Sequence, residues 1–238
     1  MSRLSRLGGA LPLLAAHRNA RLRSTALLFL VSAAPWAQAQ TIVPNPYLNT
    51  QLTPWTAFVS AAPDPVGSGT APAWAATPDL DNNPASGSAL VNFNAMASAV
   101  NAASGIAQCV DFAAPTSVTF YNYGMAFRAP PAMATDGSLA ATVEVRLFSG
   151  AGCSGFLSGG SQGQVLSAAQ VTNGTWYTLR DTSFVPLDSP VMAASAQVRG
   201  YLRQTASPTQ TDYPINFDQF VLVLNSTTPV SLMHFDVN

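Results

Sequence analysis

Thr142-Val143-Glu144-Val145-Arg146-Leu147-Phe148 alternates without a break: Val143, Val145 and Leu147 point to one side, Glu144, Arg146 and Phe148 to the other. That period of two marks a strand with one buried face. Ser195 to Arg203 repeats it, with Ala196, Val198, Gly200 and Leu202 alternating against Gln197, Arg199, Tyr201 and Arg203. Working outward, Ala89 to Phe93, Ile106 to Phe112, Ser117 to Phe127, Thr175 to Leu179 and Asn216 to Leu224 read as further strands, separated by Gly, Pro, Asn and Asp clusters. Helix signals are almost absent after residue 40. Roughly eight or more short strands with irregular connections predict an all-β fold, a two-layer antiparallel β-sandwich of jelly-roll type. Residues 60–88, rich in Pro and Gly, read as one long irregular loop region, and loops of that length are often functional.

The first 39 residues read separately, as a secretory signal peptide. Arg3, Arg6, Arg18, Arg21 and Arg23 precede the apolar run Ala26 to Val31, and small residues lead to Ala37-Gln38-Ala39, after which cleavage is expected. The apolar run falls short of the roughly 20 residues a membrane span needs, so no span remains after cleavage. An upstream misassigned start and an Arg-rich organellar transit peptide stay open as alternatives. Residues 41–224 form the sandwich domain, Asn225 to Pro229 a linker, and Val230 to Val237 an added strand or the stub of another module. A secreted, periplasmic or cell-surface location follows from the signal peptide.

Without the leader the charge changes sign of emphasis. Five of the ten basic residues lie in it and none of the eleven acids, so the remainder carries five Arg against eleven acids, a net of −6. A nucleic-acid partner is therefore not expected, because phosphate binding relies on clustered Lys and Arg. Cys109 and Cys153 are the two cysteines, and an isolated even pair in an oxidising compartment reads as a disulfide. A bridge closing the loop from Cys109 to Cys153 is worth about 4 kcal/mol of stability in the entropic account.

Taken in order, several short segments resemble a family. Asn45-Pro-Tyr-Leu-Asn49, Leu52-Thr-Pro-Trp55-Thr56, Asn83 to Val91, Ala107-Gln-Cys-Val110, Phe148 to Gly155, Gly174-Thr-Trp176 and Asn216 to Leu222 follow one another as in galactose-binding-like jelly rolls, the fold of many carbohydrate-binding modules. The resemblance implies a secreted bacterial domain that binds glycans, and a structural Ca²⁺ held partly by an aspartate on the last strand. Asp218 matches that aspartate, while Thr50 or Gln51 stands where the family has an acid. Asp79 and Asp81, in Asp79-Leu-Asp-Asn-Asn83, form a second cation candidate, although Pro84 and Leu90 at the sixth and twelfth positions break the EF-hand pattern. No other cofactor is expected.

For ligand binding the sequence points to the faces opposite the core. If Ser117 to Phe127 buries Val118, Phe120, Gly124 and Ala126 and shares a sheet with the two alternating strands, one face gathers Tyr121, Tyr123, Glu144, Arg146, Gln197, Arg199, Tyr201 and Arg203. Sugars have apolar C–H faces that stack on aromatics and hydroxyl rims that bond planar polar groups, so this face suits a glycan. Arginines laid over aromatic rings as covers are the structural alternative. Trp55 and Trp176 read as core residues. Trp74, inside the Pro-rich region, is a secondary binding candidate or a loop anchor. Catalysis finds no support: His234 is the one histidine beyond the leader and Glu144 the one glutamate, which Arg146 is placed to pair. Two other classes remain in play, a structural or adhesive cell-envelope protein and, more weakly, a glycan hydrolase with paired aspartates.

Overall fold

The computed structural model describes residues 41–60, 71–94, 101–130, 137–167, 174–207 and 212–226. The expected leader, His234 and the expected C-terminal strand lie outside these residues. Ten strands are described: β1 (Thr56–Ser60), β2 (Ala73–Ala75), β3 (Ser88–Asn94), β4 (Ala103–Val118), β5 (Tyr121–Arg128), β6 (Leu139–Gly150), β7 (Ser154–Val165), β8 (Trp176–Phe184), β9 (Val191–Gln204) and β10 (Asp212–Leu224). They form two five-stranded sheets, ordered β1-β4-β9-β6-β7 and β2-β3-β10-β5-β8, and every pairing is antiparallel. No helix among the described residues is long and apolar enough to cross a membrane.

The two decisive strands behave as their alternation predicts. Val143, Val145 and Leu147 on β6 and Ala196, Val198 and Leu202 on β9 are buried and face the second sheet, which contributes Val91, Phe93, Met125, Phe127, Ile215, Phe217 and Leu222. Gly200 completes the first wall. A Cβ there would stand 2.7 Å from the Phe220 ring and 2.8 Å from the Met125 sulfur, so the absent side chain is what lets the second sheet's largest groups approach.

Two expectations are corrected. Ser117 to Phe127 is not one strand: β4 ends at Val118 in the first sheet and β5 begins at Tyr121 in the second, with a sheet-to-sheet corner at Thr119-Phe120. Asn225, the first residue of the expected linker, clamps that corner. Its Nδ2 donates to Ser117 O (2.7 Å), its Oδ1 accepts from Thr119 N–H (2.8 Å), and its own N–H donates to Phe120 O (3.0 Å). The long loop region also contains an element, because Ala73–Ala75 pairs with β3 as the edge of the second sheet.

The cysteines are bonded, with Cα atoms 5.9 Å apart. Cys153 sits at the tip of the β6–β7 hairpin, where Gly152 and Cys153 both have positive φ, and the tip reaches across β9 to Cys109 on β4. Ser195 on β9 supports the crossing by accepting from Cys153 N–H (3.1 Å) and donating to Gly150 O (2.7 Å). The bridge ties the β6–β7 hairpin to β4, a strand whose own sequence neighbours lie in the other sheet. Replacing both cysteines with serine should cost about 4 kcal/mol, which for a domain of this size lowers the Tm by about 8–16 °C, as calorimetry of the oxidised protein and the variant will show.

Candidate functional site

Register places the site. Residues directly opposite in an antiparallel ladder share a face, and Arg199 stands opposite both Ala107 on β4 and Glu144 on β6. Gln197 is opposite Arg146, and Tyr201 is opposite Gly105 and Thr142. The side of the first sheet turned away from the core therefore carries Glu144, Arg146, Gln197, Arg199, Tyr201 and Arg203 together, as expected.

These side chains are locked to one another. Arg199 Nη1 bonds Glu144 Oε2 at 3.1 Å and its Nε donates to Gln197 Oε1 at 2.7 Å, while the guanidinium lies 4.5 Å over the Phe58 ring of β1. Glu144 thus pairs first across the strands with Arg199; Arg146, the expected partner, is farther, at 3.8 Å. Arg146 instead stacks on Phe156 of β7, 4.3 Å from the ring centroid. Burial, the Glu144 carboxylate and its hydrogen bond push the Tyr201 hydroxyl up to about 12, against the lowering influence of Arg203 and Arg199. It stays protonated and donating at any physiological pH.

Phe58, Phe148 and Phe156 are site residues that the candidate set lacks. Phe58 and Tyr201 stand on strands separated by β4, about 9.5 Å apart at the usual strand spacing, yet their rings meet at 5.2 Å. Gly105, opposite both residues, makes that possible, because no side chain rises between the rings. Phe156 is about half exposed and meets Phe148 edge-on at 6.1 Å. The result is a band across the sheet: Phe156 and Arg146, then Glu144, then Arg199 and Phe58. It crosses four strand spacings, about 19 Å, and runs obliquely, because Phe156 is level with Ser195 and Phe58 with Tyr201, about 20 Å farther along the strands.

Tyr121 and Tyr123 do not belong to it. Both are fully buried, on the second sheet, and pack on each other at 5.5 Å and against Phe184 at 5.0 and 6.1 Å. Burial is the main cause that raises both hydroxyls above the usual tyrosine range. The large residues of β5, not the small ones, fill the space between the sheets, where ring volume is needed. Trp74 is also corrected as a free binding residue: it packs against the core and its Nε1 donates to Leu48 O at 2.7 Å, which makes it the anchor of β2.

The aspartates gather at the other sheet. Asp218 is buried, its oxygens accepting from Leu80 N–H (3.2 Å) and Gln219 N–H (2.7 Å). Asp79 is buried too and accepts from Asn83 N–H and Ser86 Oγ–H, both at 2.7 Å. Burial drives the Asp218 carboxyl up to about 8, with Asp79 and Asp81 adding to the rise and the two N–H groups opposing it. Burial, then Asp79, raises Asp81. Among the described residues no three His, Cys, Asp or Glu side chains come together to hold a metal. Asp79 and Asp218 serve as acceptors that shape the Leu80 to Ser86 loop. A hollow of about 220 Å³ beside this region, lined by Ala71, Ala73, Leu90, Asn92 and Pro214, offers neither an aromatic ring nor a charge.

By sequence, no family model and no curated protein matches the chain. By structure it is similar to a family 61 carbohydrate-binding module solved with β-1,4-galactotriose (16% identity, TM-score 0.45, covering 78% of this chain and 99% of that one). It is similar also to the CBM22-1 xylan-binding domain of Paenibacillus barcinonensis Xyn10C (14%, 0.41, 78% and 95%). A third similar structure is the enzymatically active domain of bacteriophage CBA120 tailspike protein 4 (14%, 0.47), where the match covers 77% of this chain and 21% of the tailspike chain. Carbohydrate-binding modules, the class that the sequence resembles, are thus among the structures similar to it in fold.

Proposed function

We propose that the chain is an exported, non-catalytic module that binds glycan on the outer face of the first sheet. What supports the reading is the pair of aromatic–arginine stacks, Phe58–Arg199 and Phe156–Arg146, on either side of Glu144. A sugar chain lying across the band meets flat apolar surfaces at its ends and ionised acceptors and donors between them, each already fixed by its neighbours. Charged groups interrupt the aromatics, so the face is not the continuous apolar surface that the protein-docking reading calls for. The protein-binding reading draws instead on the exposure of Val185, Leu187 and Met192 about the connection between β8 and β9.

The test is a glycan array probed with the wild type and with Phe156→Ala and Phe58→Ala. The wild type is expected to bind a subset of glycans, and each variant to weaken that binding about tenfold, the loss of one stacking contact. Wild-type silence on every glycan overturns the proposal.

A further inference from the structure

Charge on this molecule is segregated. Residues 40–238 carry five Arg and eleven acids. Three of those arginines, Arg146, Arg199 and Arg203, lie on the outer face of the first sheet. Glu144 is the acid at the centre of that face. Asp111, opposite Ser195, lies at the disulfide end, about 13 Å along the strand from Arg199, and is engaged by Gly152 N–H at 2.7 Å. The described face therefore has an excess of positive charge, although residues 40–238 together carry five Arg against eleven acids, a net of −6.

The three arginines are not equivalent. Arg199 is committed to Glu144, Gln197 and Phe58. Arg146 keeps its guanidinium partly exposed and lies at the limit of contact with Glu144. Arg203 is exposed and forms no ion pair among the described residues. Arg146 is opposite Gln197, and Arg203 lies six residues farther along β9, about 20 Å away. Two available guanidiniums at that separation, on a surface already suited to sugar rings, match a ligand that repeats its negative charge along a chain. A guanidinium fork recognises carboxylate geometry in particular.

Resting on the glycan reading above, we infer that the ligand is an acidic polysaccharide, a chain of uronate residues, whose carboxylates are taken by Arg146 and Arg203 while its rings lie on the aromatic band.

The experiment is calorimetric titration in calcium-free buffer with oligogalacturonate and with a neutral galactan oligosaccharide of equal length. Each is run at about 0.01 M and about 1 M salt, which shortens the screening length from about 30 Å to about 3 Å. The uronate is expected to bind about tenfold or more tighter than the neutral chain at low salt and to lose that advantage at high salt. Arg203→Gln should remove most of the preference, and Arg180→Gln, on the opposite sheet, none of it. Equal, salt-independent binding of both oligosaccharides overturns the inference and leaves the glycan site standing. Binding of neither overturns the inference, and the glycan reading falls with it only if the array is silent as well. A DNA oligonucleotide bound as tightly as the uronate overturns the assignment to a carboxylated sugar.

Discussion

Replacing Asp218 with Asn is expected to make the fold about 1 kcal/mol less stable at pH 4 and on the order of 3–6 kcal/mol more stable at pH 9 than the parent. The carboxyl is pushed up to about 8 from an ordinary value of 3.8, with burial as the main cause. The folded state therefore holds the proton more tightly than the unfolded chain does. That preference stabilises the fold fully below about pH 4 and is lost as the pH climbs through about 8, where the buried group must ionise beside Asp79 and Asp81. Asparagine cannot ionise, so the slope disappears. Its NH₂ group accepts nothing, whereas the hydroxyl oxygen of the protonated carboxyl still can, so either the Leu80 or the Gln219 N–H loses its partner, which accounts for the deficit in acid. Denaturant unfolding of both proteins from pH 4 to 9, with a chelator present so that protonation alone is read, measures the two curves and their crossing. Parallel curves contradict the raised value.

Gly105→Ala is expected to cost about 3 kcal/mol or more, an unusual penalty for one methyl group. Its Cβ would run into Gly200 O and stand 2.5 Å from Tyr201 Cα, both on β9. Backbone cannot rotate aside as a side chain can, so β4 and β9 must separate at the middle of the sheet. The same separation drives Phe58 from Tyr201, and glycan binding should fall with stability. Gly163→Ala is the contrast. Its Cβ would meet Thr142 Oγ1 at 3.3 Å and Ala141 O at an ordinary 3.7 Å, on an edge pairing, and the cost should stay below about 1 kcal/mol. Equilibrium denaturation of the two variants decides it, and equal costs contradict the close approach at Gly105.

The sheet, its outward face and the disulfide were legible because each rests on a local signal. Strict alternation in β6 and β9 fixes which side chains leave the core, and a lone cysteine pair has one pairing to make. β5 misled for a physical reason. Nearly every residue of that strand is buried on both faces, so alternation between Tyr121-Tyr123-Met125-Phe127 and Asn122-Gly124-Ala126 does not say which set meets the other sheet. The corner at Thr119-Phe120 was hidden because neither residue is a Gly, Pro, Asn or Asp; the residue that enforces it, Asn225, lies about a hundred positions away along the chain. Phe148 is placed on the outer face by its alternation with Leu147. Phe58 and Phe156 carry no comparable signal, since one lies on a five-residue strand and the other in a Gly/Ser-rich tract, and both join the site through the register of strands distant in sequence.

The position of a bound oligosaccharide in a crystal of the complex is the most direct measurement. The expected result is density lying across β7, β6 and β9, with a ring against Phe156, hydroxyls on Glu144 and Arg199, and the chain reaching Phe58. Density confined to the second sheet, whether in the hollow at Leu90 and Pro214 or along the Leu80 to Ser86 loop, contradicts the account.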